Sequence, residues 1–135
     1  MIFVDTGPLL ARCLEQDQHH VAAVRAWAEL ARRPQRCATL NFVLDETLTL
    51  LARRASYSFA AERGKILYAS SALEILRPDL EDEIAALEAF SRLADQRVSF
   101  TDCVSFALMK RYRFRRAFTF DRHFAAAGFQ VWTGR

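Results

Sequence analysis

Glycine and proline are both scarce in this chain of 135 residues, which contains four glycines and three prolines. Such low numbers exclude collagen-like and linker-like chains, and they disfavour a β-sandwich, which needs many tight turns. The chain is not poor in hydrophobic residues, because 52% of its residues are apolar. This composition excludes an intrinsically disordered chain. Length and composition therefore predict one compact domain spanning residues 1–135.

Cysteine is sparse as well, and the three residues Cys13, Cys37 and Cys103 show no CxxC spacing. We therefore expect neither a disulfide framework nor a thiolate zinc site. No apolar run reaches the roughly 18 residues that a membrane span requires. The first residues, MIFVDTGPLL, carry no basic segment and include Asp5, which argues against a secretory signal. We expect a cytoplasmic protein without a membrane segment.

A strong charge excess is also missing, since 19 basic residues face 16 acidic ones and the net charge is only +3. The distribution is more informative, because the run KRYRFRR from Lys110 to Arg116 concentrates five cations and two aromatic residues. Such a run is either a solvated helix end, where cations favour the helix dipole, or a rim that binds phosphates and stacks bases. We predict that Arg113 and Arg115 contact RNA or an acidic partner segment.

Short apolar runs alternate with segments of helical periodicity along the chain. Strands are predicted at 2–4, 36–39, 73–76, 117–120 and 129–132, and helices at 9–15, 19–31, 41–54, 58–68, 79–95, 101–112 and 122–127. Asn41 is the predicted N-cap of the third helix. This order predicts an α/β fold whose central, mostly parallel sheet has four to five short strands and helices on both faces.

Four acidic residues lie within apolar sequence, where a carboxylate is costly unless it is paired or bound to a metal. Asp5 and Asp121 each follow an apolar strand, Asp102 begins a helix, and Glu46 lies inside an apolar helix. Taken singly, Asp5, Asp102 and Asp121 could cap turns or helices. The carboxyl ends of parallel strands, however, form the usual site edge of such a sheet.

Converging carboxylates repel one another unless a cation lies between them. Oxygen ligands without histidine or cysteine select Mg²⁺ or Mn²⁺. Such an ion leaves coordination positions for a phosphate oxygen and an attacking water. The acidic set is therefore typical of metal-assisted phosphodiester hydrolysis.

The segments IFVDTGPLL, NFVLDETLTLL, SFTDCVSFALM and AFTFDRHF, in this order and spacing, resemble the four acidic motifs of PIN-domain nucleases. The chain is most similar to the small VapC-type toxins of type II toxin–antitoxin systems, and the resemblance spans Ile2 to about Val131. It implies a divalent-metal-dependent endoribonuclease whose products carry 5′-phosphate ends. It also implies a cognate antitoxin that blocks the cleft. A homodimer is implied too, and the helices at 19–31 and 41–68 are apolar enough to form its interface.

By position, the resemblance makes Asp5, Glu46, Asp102 and Asp121 the catalytic quartet. Asp5 and Asp102 are then the direct ligands of Mg²⁺ or Mn²⁺, while Glu46 and Asp121 act through water or on a second ion. Thr6 and Thr119 resemble the small hydroxyl residues that flank such sites. Ordinary hydroxyl residues of a turn and a strand are an equally good interpretation. Asp45 stands beside Glu46, and helical spacing does not decide which of the two faces the cleft; the family pattern favours Glu46.

Other interpretations explain less of the sequence. Asp5-Thr6-Gly7 matches an aspartic protease signature, but that fold is all-β and leaves the other three carboxylates unexplained. A phosphatase of the haloacid dehalogenase type would need an aspartate where Gly7 stands. The remaining alternative is a non-catalytic RNA- or protein-binding module that keeps the PIN-like fold.

Overall fold

The computed structural model describes all residues, 1–135, and contains one five-stranded parallel sheet in the order β3-β2-β1-β4-β5. Strands β1 to β5 span Ile2–Val4, Cys37–Leu40, Leu73–Leu76, Arg116–Phe118 and Gln130–Trp132. Helices α1 to α7 span Thr6–Ala11, His20–Arg32, Asn41–Arg54, Tyr57–Ala69, Leu80–Arg92, Phe100–Arg111 and Arg122–Ala126. A short 3-10 helix, Ala94–Gln96, precedes α6. The predicted α/β fold is confirmed.

The strand order places a reversal at the centre of the sheet. The chain runs from β1 through β2 to the edge strand β3, and then crosses back to β4 on the other side of β1. Right-handed crossovers in opposite directions place the two sets of helices on opposite faces. A crevice opens where the direction reverses, beyond the carboxyl ends of β1 and β4.

Two phenylalanines from the central strands anchor the helices on these two faces. Phe3 of β1 packs on Phe124 of α7, with ring centroids 6.3 Å apart. Phe118 of β4 packs on Trp27 of α2, at 5.2 Å. Because Phe3 is in register with Ala117, Phe118 points to the opposite face. The core therefore fixes β1 and β4, the two strands whose ends form the crevice.

The first helix begins earlier than its sequence predicts. Helix α1 starts at Thr6 rather than Leu9 and ends at Ala11 rather than Glu15. Glycine followed by proline is typical of a turn, but proline is tolerated in the first turn of a helix, where its missing N–H has no intrahelical acceptor. Asp5 is therefore followed at once by a helix.

The capping of α3 and the C-terminal end of α5 also differ from prediction. Asn41 is the first residue of α3 rather than its cap, because β2 continues to Leu40 and leaves Leu40 in the extended N-cap position. Helix α5 ends at Arg92 rather than Asp95, and the chain tightens into the 3-10 helix. This tightening sets the turn at Arg97, which adopts a left-handed backbone with φ of 55°.

No helix is both long enough and apolar enough to cross a membrane.

Candidate active site

Asp5 lies in the crevice, between the end of β1 and the start of α1. Its side chain is only 6% exposed, and it accepts a hydrogen bond from the hydroxyl of Thr119 (Oγ1 to Oδ2, 2.8 Å). It makes no capping hydrogen bond to α1. Asp5 therefore occupies the N-cap position of α1 without the side-chain bond of a cap, and its carboxylate lines the cleft.

Thr119 connects Asp5 with Asp121. Its hydroxyl donates to Asp5 and also accepts from the backbone N–H of Asp121, at 2.9 Å. The side chain of Thr119 is fully buried. Because one hydroxyl satisfies both groups, it fixes the spacing of the carboxylates that follow β1 and β4.

Asp121 is a true N-cap of α7, since its Oδ1 accepts from the backbone N–H of His123 at 2.8 Å. Asp102 is not a cap, because Ser99 holds that position in α6 and accepts from the N–H of Asp102 at 3.0 Å. Asp102 instead stands in the first turn of α6, 7% exposed, with its carboxylate toward the crevice.

Helix α3 places the neighbouring acidic residues Asp45 and Glu46 in different surroundings. Glu46 is half-buried, lines the crevice and accepts a hydrogen bond from the hydroxyl of Thr6 at 3.2 Å. Asp45 is exposed and does not line the crevice. The structure therefore directs Glu46 inward and leaves Asp45 in solvent.

The four carboxylates line one cavity of about 580 Å³. Phe120 is the one hydrophobic residue among those that line it, which are Asp5, Thr6, Gly7, Glu46, Arg97, Ser99, Asp102, Phe120, Asp121, Arg122 and His123. We call this cavity the acidic cleft. The predicted quartet is thus brought together, with Thr6 in the wall and Thr119 behind it.

Burial and mutual repulsion disfavour the charged state of two cleft carboxylates. Burial raises the pKa of Asp5 to about 6; the hydrogen bond from Thr119 opposes this rise, and the charges of Asp121 and Glu46 add to it. Burial raises the pKa of Asp102 to about 8, and the negative charges of Asp5 and Asp121 add to that rise. A cation in the cleft would relieve both effects.

His123 stands beside this cluster, although its sequence position favours a surface or packing role. Its ring Nδ1 lies 2.9 Å from Oδ1 of Asp121. Three possible ligand atoms lie within 4.8 Å of one another: a carboxylate oxygen of Asp102, a carboxylate oxygen of Asp121 and a ring nitrogen of His123. This spacing is compatible with a single divalent ion. The carboxylate oxygens of Asp102 and Asp121 suit Mg²⁺ or Mn²⁺, whereas the imidazole of His123 is a more usual ligand of Zn²⁺, iron, nickel or copper.

Arg113 and Arg115 lie away from the acidic cleft. Both precede β4, whose opposite end leads to Thr119 and Asp121, and both line a small cavity together with Met1. Met1 precedes β1, so this cavity belongs to the amino edge of the sheet. The structure therefore does not bring these two arginines to the quartet, and their contact with RNA stays a prediction.

The fold and the cleft together define an α/β domain with a four-carboxylate site at the switch point of a parallel sheet. The chain matches the PIN domain over residues 2–130, and it belongs to that family.

Similar proteins agree with this assignment. The chain is 38% identical over 130 residues, 96% of its length and 95% of the relative's, to a protein described as the 23S rRNA-specific endonuclease VapC20 of Mycobacterium tuberculosis. It aligns with the crystal structure of M. tuberculosis VapC20, described as a Sarcin-Ricin loop cleaving toxin, at a TM-score of 0.86 and 35% identity over 96% of both chains. A second structure, VapBC2 of Rickettsia felis bound to a promoter DNA fragment, shares the fold at a TM-score of 0.70 and 14% identity over 98% of both chains.

Proposed function

We propose that this chain is a divalent-metal-dependent endoribonuclease, the toxin of a type II toxin–antitoxin pair. The observation that carries this proposal is the convergence of Asp5, Glu46, Asp102 and Asp121 on one cleft. A buried carboxylate is costly unless it is paired or bound to a metal, and neither Asp5 nor Asp102 lies within 4.0 Å of a basic group. The family assignment and the endonuclease relatives give independent support.

Residues of the acidic cleft would hold the ion. Asp5 and Asp102 are the proposed direct ligands, with Asp121 and His123 near enough to Asp102 to complete the set. Glu46 is held at the rim by Thr6. A bound divalent cation supplies Lewis-acid charge, which lowers the cost of bringing a phosphodiester and an attacking water together in an acidic cleft.

The protein contributes orientation and electrostatic preparation. The hydroxyl of Thr119 fixes one oxygen of Asp5, and the first turn of α7 fixes one oxygen of Asp121. Burial and the neighbouring carboxylates raise the pKa of Asp5 and of Asp102, so a bound cation would displace protons from both groups and lower both pKa values. The site is therefore prepared for a cation before any substrate arrives.

For the substrate, we propose the sarcin–ricin loop of 23S rRNA. This proposal is supported by the VapC20 relatives, whose identity extends along nearly the whole chain. We expect purified protein with Mg²⁺ or Mn²⁺ to cut 23S rRNA of intact ribosomes at one position in that loop and to leave 5′-phosphate ends. Primer extension locates the cut, and a 5′-phosphate-dependent exonuclease tests the ends.

The outcomes of this assay separate the substrate from the reaction. Metal-dependent cleavage of another RNA would contradict the proposed substrate but would still support the proposed nuclease activity. Tight RNA binding without cleavage under any metal condition would instead favour the non-catalytic binding module.

The proposed partners are a cognate antitoxin and a second copy of the chain. Apolar side chains stand exposed on α2, α4 and α5, including Val21, Tyr57, Ile66, Leu80 and Ile84. Such faces are typical of surfaces that a partner covers. Light scattering of the protein alone should give the mass of a dimer, and a monomer mass would contradict the homodimer.

Thr119 offers a test of how the site is positioned. Thr119→Val keeps the side-chain shape but removes the hydroxyl that serves both Asp5 and the N–H of Asp121. We expect Mn²⁺ affinity to fall by roughly 10- to 100-fold, the usual effect of losing a partner of a metal ligand. Titration calorimetry measures this affinity directly.

Thr119→Ser is the matched control, because it keeps the hydroxyl and removes only a methyl group. We expect its Mn²⁺ affinity to stay within a few-fold of wild type. Equal losses in Thr119→Val and Thr119→Ser would show that packing, and not the hydroxyl, matters at this position.

A further inference from the structure

A second groove opens from the acidic cleft and is lined by a different part of the chain. Its volume is about 670 Å³, and its walls are Asp95, Gln96, Arg97, Arg122, His123 and Ala126. Three of these residues, Arg97, Arg122 and His123, also line the acidic cleft. The groove and the cleft therefore adjoin at these three residues, between the 3-10 helix and α7. We call the second cavity the basic groove for its two arginines, although Asp95 also lines it.

Both arginines at this junction are free of ion pairs. Arg97 and Arg122 are exposed, and neither lies within 4.0 Å of a carboxylate oxygen, although four carboxylates stand in the same cleft. By contrast, Arg111, Arg54 and Arg32 are each engaged by an acidic side chain. The guanidinium groups at the junction are thus available to an anion from outside the protein.

The backbone at Arg97 is unusual for its residue type. Its φ of 55° lies in the left-handed region, where glycine or asparagine is the common choice. A long cation is placed instead at a position that favours a residue with little or no side chain. Residues held in sparsely populated conformations are concentrated at functional sites. Arg113 at the amino edge has the same left-handed backbone, with φ of 59°, so this feature alone does not distinguish the two sites.

Electrostatics indicates what binds there. An RNA strand must bring phosphates toward a cleft of four carboxylates, and cations beside the reacting phosphate offset that repulsion. Arginine suits this task, because its planar fork binds phosphate oxygens in pairs. A strand that enters the acidic cleft and continues into the basic groove passes both guanidinium groups.

We propose that Arg97 and Arg122 bind the RNA backbone next to the scissile phosphate, and that the basic groove carries the strand out of the acidic cleft. This inference rests on the proposed ribonuclease function and deepens it. It assigns the substrate path to this junction, whereas the sequence places RNA binding at Arg113 and Arg115.

The experiment measures the affinity of a fluorescent RNA hairpin over a range of salt concentrations, in an Asp5→Asn background that prevents cleavage. We expect Arg97→Ala and Arg122→Ala each to weaken binding about tenfold at low salt, as for a lost hydrogen bond to a charged group. Each should also flatten the slope of log affinity against log salt by about 0.7, the value for one phosphate contact on a single strand. Arg97→Lys keeps the charge and should keep the slope.

Three comparisons make the result decisive. Arg25→Ala on α2 removes an exposed arginine that lines neither cavity, and it should leave affinity and slope unchanged. If Arg113→Ala and Arg115→Ala weaken binding while Arg97→Ala and Arg122→Ala do not, the RNA path is at the amino edge and this inference is overturned. Equal effects in all five variants would also overturn it, because the loss would then reflect net charge alone.

The assay also separates this inference from the function on which it rests. If wild-type protein cleaves RNA but Arg97→Ala and Arg122→Ala bind and cleave normally, only the path is wrong. If wild-type protein neither binds nor cleaves RNA with Mg²⁺ or Mn²⁺ present, the ribonuclease function itself fails.

Discussion

Replacing Asp5 by asparagine is expected to reduce RNA cleavage by more than about a hundredfold, beyond the usual cost of losing a residue that merely supports a ligand. The substitution keeps the size of the side chain and an oxygen that can accept from Thr119, so the local structure is retained. It removes the charge that a divalent cation would need. Asp102→Asn should behave in the same way, since that carboxylate lines the same cleft.

The measurement compares cleavage rates for the wild type, Asp5→Asn and Asp45→Asn in Mg²⁺, in Mn²⁺ and in EDTA. Asp45→Asn is the matched control, because Asp45 is exposed and outside the acidic cleft although it adjoins Glu46. We expect it to retain activity with either metal. Full wild-type activity in EDTA would exclude the proposed metal-dependent reaction. Equal losses of activity in Asp5→Asn and Asp45→Asn would contradict the assignment of catalysis to the acidic cleft.

The principal features of the fold were predictable from the sequence because the strands are short, apolar and bounded by polar residues. Ile2–Val4 is buried throughout, so its pattern left no other assignment. The two strand ends at Asp5 and Asp121 could be expected to adjoin, since parallel strands present their carboxyl ends at one edge. That they follow neighbouring strands, β1 and β4, depends on strand order, which local pattern does not encode.

Capping was harder to predict than strand position. Asp102 could equally have been the cap of α6, and only the geometry shows that Ser99 takes that role. Asn41 is a good cap by residue type, but the strand before it continues for one residue more. In both places neighbouring residues compete for one position, and tertiary contacts decide the outcome.

The arginines at the junction gave no signal in sequence. Seventeen arginines are spread along the chain, and the densest run, at 110–116, drew attention to the amino edge. Arg97 reaches the cleft only because α5 ends early and the 3-10 helix turns the chain.

The metal-free protein is expected to lose stability as the pH rises from about 4 to about 8. Unfolded aspartates titrate near 3.8, whereas the pKa of Asp5 is about 6 and that of Asp102 about 8 in the folded state. Between these values the folded state binds more protons than the unfolded state, so raising the pH favours unfolding. The stabilising contribution of the protonated groups is complete below pH 4 and is lost as the pH passes through 6 for Asp5 and 8 for Asp102.

The size of this effect makes it measurable and ties it to the catalytic prediction. The rise in the Asp5 pKa corresponds to at most about 3 kcal/mol, or a change in melting temperature on the order of 10 °C for a domain of this length. In EDTA at pH 8, Asp5→Asn should therefore melt at a higher temperature than the wild type. Mg²⁺ or Mn²⁺ should raise the melting temperature of the wild type far more than that of the variant.

A wild-type melting temperature that stays constant from pH 5 to pH 8 in EDTA would contradict the proposal that burial and repulsion raise the pKa values of these carboxylates. A variant that is more stable and yet inactive cannot owe its inactivity to misfolding, so the two results together would assign the lost activity to the charge of Asp5.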